Sequence, residues 1–193
     1  MFHFLRTGDI DCGGYVDALI ADCDGQRASH ALAAQLHACR AGRWLTAGDA
    51  VNVVEFEEAV RKRTWEFFGK LLNTAQAKLQ AHRANWLQLH AAGHPKPDDT
   101  KTTQDAINRA VRLVDGIAAQ LYYASGAFSE EHSSQDDRMS EAQKRRFWFE
   151  AADIFRALAT EIHPHTAHQV VETLHNLLPY SPHDIFLVAS TAI

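Results

Sequence analysis

The chain has 193 residues, 46% of them apolar and 22% charged, with a formal net charge of −5. That length and composition suit a folded core and exclude a disordered chain. The acidic balance excludes the overall basic character of a dedicated nucleic-acid binder, though not a local basic patch. The longest apolar run, near Ile185 to Val188, is far short of a membrane span.

MFHFL at the N-terminus reads as a short strand or the start of a helix, without the features of a signal peptide. Asp9 to Gly14 is turn-like. Asp9, Asp11 and Asp17 echo the front of a calcium loop, but its twelfth position is Ile20, where that loop needs a bidentate Glu. An Asp- and Gly-rich turn is therefore expected. Short helices are expected at Tyr15 to Cys23 and Ala28 to Arg40. Cys12, Cys23 and Cys39 are odd in number and unpaired by spacing, which points to packing residues in a reducing cytosol. A cytoplasmic location follows from that reading.

A long helix comes next. Thr46 and Asp49 resemble a capping box with a shortened acid. Val53, Phe56, Val60, Phe68, Leu71, Ala75 and Leu79 then recur at helical spacing, continuing through Trp86 and Leu89 to a stop at Gly93-His94-Pro95. A helix over 48–91 would be about 65 Å long, which favours a kink near Gly69 or Asn73. PKPDDT at 95–100 reads as a polar linker between an N-terminal bundle over 1–94 and a C-terminal portion over 101–193. Beyond it, a helix is expected over Thr103 to Ala127, with Ile107, Val111, Val114, Ile117 and Leu121 on one face. Ser129 to Arg138 is a polar loop. Ser140 with Gln143 forms a capping-box pattern, opening a helix that carries Phe147, Phe149, Ala152, Ile154, Phe155, Leu158 and Ile162. Two shorter helices follow, over Thr166 to Leu178 and from an N-cap at Ser181 with Pro182 in the first turn. The last segment, Ile185 to Ile193, is apolar, with neither a Gly stop nor a polar tail. It predicts that more chain or a partner covers this end.

The whole pattern gives an all-α fold, a helical bundle with one long helix followed by helix pairs. The last fifty residues, ALATEIHPHTAHQVVETLHNLLPYSPHDIFLVASTAI within them, resemble a HEAT-like repeat. They also resemble helical-repeat scaffolds of very large bacterial ATPase or effector proteins, some of them in antiphage defence. The resemblance implies a non-catalytic scaffold whose partner is another protein, the remainder of a larger chain or a second copy.

Three groups of residues carry candidate chemistry. His163, His165 and His168 are spaced as a possible metal-ligand set. Histidines suited to the last turn and polar face of a helix are the plainer account. Arg83 with His90, and Arg156 with His163, repeat an Arg-x6-His spacing that resembles the Arg-x4-6-His motif of HEPN ribonucleases. Both copies have Ala after the Arg, where that family favours a polar residue. The resemblance implies metal-independent RNA cleavage in a dimer, with Arg stabilising a phosphate and His handling a proton. Arg61-Lys62-Arg63 and Lys144-Arg145-Arg146 each precede an aromatic, at Trp65 and at Phe147-Trp148. Such patches can bind phosphates and stack bases, but acids on the same helices favour a solvated, ion-paired face, and nucleic acid is not the favoured partner. No phosphate loop, G-x-S-x-G elbow, H-E-x-x-H or dinucleotide fingerprint is present, and no cofactor is implied.

Overall fold

A computed structural model describes residues 54–93, 95–127, 140–160 and 164–191, together with Gly14, Asp17, Ala18 and Ile20 to Asp22. Among the described residues there are five α-helices and no strands. They are α1 (Val54–Ala91), α2 (Pro97–Ala124), α3 (Glu141–Ala159), α4 (Pro164–Leu177) and α5 (Pro182–Thr191), with a 3₁₀ turn at Leu178–Tyr180 between the last two. None of the described helices is long and apolar enough to cross a membrane. The expected capping at Thr46, the calcium-like turn apart from Asp17 and Ile20, the three cysteines and the loop at 129–138 lie outside the described residues.

Helix α1 is continuous through Gly69 and Asn73 and spans 38 residues, about 57 Å at 1.5 Å per residue. It ends at Gly93, whose φ of 72° a glycine adopts without a Cβ penalty. The link to α2 is shorter than the sequence suggested. Pro97 takes the first helical turn, where a missing N–H costs nothing, and Asp98 and Asp99 complement the positive end of the helix dipole. The segment read as a linker through Thr100 is thus helical from Pro97 onward.

The two helices run antiparallel. Asn85 Nδ2 donates to Thr103 Oγ1 at 3.1 Å near the turn, and Leu79 packs with Ile107, Ala110 and Val111 further down. Helix α3 starts at the expected capping box: Gln143 N donates to Ser140 Oγ at 3.3 Å, and Ser140 N donates to Gln143 Oε1 at 2.8 Å. It stops at Ala159, before Ile162. Two cross-helix bonds fix its course. Trp65 Nε1 donates to Glu150 Oε2 at 2.7 Å, and Gln76 Nε2 donates to the Ala157 carbonyl at 2.8 Å. Both pairs advance together, so α3 runs parallel to α1.

One core joins all five helices. Phe68, Leu71 and Leu72 of α1 meet Leu113, Ile117 and Leu121 of α2, Phe147, Phe155 and Leu158 of α3, Leu174 and Leu177 of α4, and Ile185 and Val188 of α5. Trp65 packs edge-on to Phe147 at 5.5 Å, and Trp148 stacks on Phe155 at 5.9 Å. Both tryptophans are core residues rather than base-stacking platforms. Helices α4 and α5 form the expected helix–turn–helix, with Pro179 in the 3₁₀ turn and Ile185 N donating to the Ser181 carbonyl at 3.0 Å.

Candidate functional site

One residue of the second basic run departs from the solvated face expected of it, while Arg145 is exposed and Arg146 half-buried. Lys144 is buried, and its Nζ donates to Asn176 Oδ1 at 3.1 Å while lying 5.6 Å from the centre of the Tyr180 ring. Asn176 Nδ2 passes the chain on to the Ser125 carbonyl at 3.1 Å, at the end of α2. A cation beside that helix terminus complements its dipole. The Arg145 guanidinium carbon lies 5.7 Å from the centre of the same Tyr180 ring. These contacts join the start of α3 to the ends of α2 and α4. They are built from residues 32 or more positions apart, so helical spacing within α3 alone gives no hint of them. In the first run, Lys62 is exposed and Arg63 is half-buried.

Arg83 and His90 both lie on exposed parts of α1. They are two turns apart on one face, about 10.5 Å along the axis. The His90 ring stacks on Trp86 with centroids 4.2 Å apart, and its Nδ1 lies 2.8 Å from the Trp86 carbonyl. A carbonyl only accepts, so Nδ1 carries the proton in the neutral ring and Nε2 keeps the lone pair. That tautomer can accept a proton from a ligand. The second pair is different. Arg156 is engaged by Asp153 at 2.6 Å, and His163 lies outside the described residues, so the structure places one pair only.

Of the three histidines with metal-ligand spacing, His168 alone has a described side chain. It is exposed, with Nδ1 4.0 Å from Glu172 Oε1. Among the described residues, no three His, Cys, Asp or Glu side chains come together as a metal-ligating group.

The remaining feature is apolar. Phe149 on α3 is 86% exposed, Leu87 on α1 and Phe186 on α5 are each 68% exposed, and Leu187 stands beside Phe186 in solvent. Helix α5 is apolar on more than one side. Ile185 and Val188 enter the core, and Phe186 and Leu187 therefore point away from it. The sequence showed this helix as uniformly apolar but could not say which side had a neighbour.

No family model matches the chain, and neither the curated proteins nor the solved structures contain a match to it.

Proposed function

We propose that the chain is a non-catalytic helical interaction module, a scaffold segment of a larger bacterial assembly in the cytoplasm. The observation that carries this reading is the outward placement of Leu87, Phe149 and Phe186 on three different helices. Large apolar side chains gain most when a partner removes them from water, by about 25 cal/mol per Å² buried. The HEAT-like pattern of the last fifty residues supports the same reading.

Light scattering coupled to size exclusion, with Asp placed singly at Leu87, Phe149 and Phe186, tests it. Each variant should melt like the parent, since none of these side chains is in the core. At least one should dissolve a self-association or a complex with a co-purifying protein. A parent that stays monomeric and partnerless, and is unchanged by all three substitutions, defeats the reading.

One observation favours a second reading, a HEPN-like metal-independent ribonuclease. His90 presents Nε2 as a proton acceptor on the same helix face as Arg83. Cleavage of varied RNAs, abolished by His90→Ala and by Arg83→Ala, would support it. No cleavage by the parent at high protein concentration would end it.

A further inference from the structure

The outward side of α4 carries a set of polar groups that the interaction reading does not use. Thr166, Val170, Thr173, Leu174 and Leu177 of that helix are buried. On the opposite side His168 and His175 are exposed, with the half-buried Glu172 between them. Four and then three residues separate these positions, so they form one stripe along the helix. His168 Nδ1 lies 4.0 Å from Glu172 Oε1. Two ligands of a tetrahedral zinc ion, each about 2.0–2.1 Å from the metal, are about 3.4 Å apart. A small rotation of these two side chains therefore seats an ion between them. That pair alone falls short of the three or four protein ligands of a zinc site.

His175 is the next donor, but it lies about 10.5 Å along the axis from His168. Among the described residues of one chain, no such third ligand joins the pair. A second copy packed antiparallel on the stripe supplies it. A two-fold axis between positions 171 and 172 exchanges His168 with His175, and Pro164 with Pro179. Helical side chains lean toward the N-terminus. Glu172 thus leans back to His168, and His175 of the antiparallel copy leans into the same gap. The facing helices then stand at the ordinary packing distance of about 8–10 Å. Val171, 55% exposed, meets its own counterpart beside the axis. Charge permits the contact. From Ala157 to Ile193 the chain has five histidines but no Lys or Arg, and Glu172 is the only carboxylate of α4. A divalent ion at each site offsets the repulsion between the two Glu172 carboxylates.

We infer that the outward side of α4 docks on a second copy of the chain and that two zinc ions close the contact. Each ion is held by His168 and Glu172 of one copy and by His175 of the other, with water in the fourth position.

The test is light scattering coupled to size exclusion on the untagged full chain, first in EDTA and then with one equivalent of zinc. Zinc should double the mass found in EDTA, with one ion per chain by elemental analysis. His168→Ala and His175→Ala lie at exposed positions and should melt like the parent. Each should raise the zinc concentration needed for doubling tenfold or more. Mixed in equal amounts, the two variants should regain it. The mixed pair has one complete site, from His168 and Glu172 of one chain and His175 of the other, and either variant alone has none. A mass unchanged by zinc overturns the inference, and zinc bound without doubling is then an adventitious ion only. Doubling that survives both substitutions, or that both abolish with no recovery on mixing, overturns it too. All of these outcomes leave the interaction reading where it stands, on assembly in EDTA and on Leu87, Phe149 and Phe186.

Discussion

Residues 65–79 and 80–91 belong to one helix with no break between them, yet they are supported differently. The first half buries Phe68, Leu71, Leu72 and Ala75 and is bonded to α3 at Trp65 and Gln76. The second half keeps α2 on one side, and its outward residues include Leu87 and His90. The difference is where α3 stops. Backbone helicity is thus inherited along α1, while tertiary stabilisation is greatest in the portion with two neighbours. That teaches a general point: most of a helix's stability comes from packing, not propensity.

Four substitutions probe this contrast. Phe68→Ala, in the centre of the supported half, should cost ~3–5 kcal/mol in a chemical-denaturation curve. A loss of less than about 1 kcal/mol would mean that the supported half is not the core. Lys144→Ala removes the anchor that holds the start of α3 to Asn176. It should cost ~1–3 kcal/mol by leaving the half-buried Asn176 amide oxygen without this donor, measured as a lowered denaturation midpoint. Ser140→Ala breaks the capping box of α3 and should cost ~1 kcal/mol. Faster hydrogen exchange in the first turn of α3 would localise that effect. Leu87→Ala, in the half without α3, should shift stability by no more than about 0.5 kcal/mol. A large loss there would show that the end of α1 is packed against something after all, and the contrast would fall.

Much of the architecture could be read from the sequence because it is set by local chemistry. The all-α class, the stop of α1 at Gly93, the Ser140–Gln143 box and the Ser181-Pro182 start of α5 all depend on residues within a few positions of one another. The start of α2 was misjudged for a reason equally local: Pro and Asp mark linkers, but in the first turn they favour a helix. The candidate site was less legible. The stacking of His90 on Trp86 follows from i, i+4 spacing and could have been foreseen. The burial of Lys144 could not be, since it needs Asn176 and Tyr180 from another part of the chain. Nor could the exposure of Leu87, which depends on the end of a helix some seventy positions later.

The parallel course of α1 and α3 also sets a timetable for synthesis. Trp65 and Glu150 are 85 positions apart. At about 5–20 residues per second, a ribosome needs about 4–17 s to cover that interval. The α1–α2 hairpin can close early, because its contacts are near in sequence. Its aromatic flank, with Trp65 and Phe68, must then wait in water until α3 emerges. For that interval the nascent chain offers a chaperone the same surface that the finished protein hides most completely.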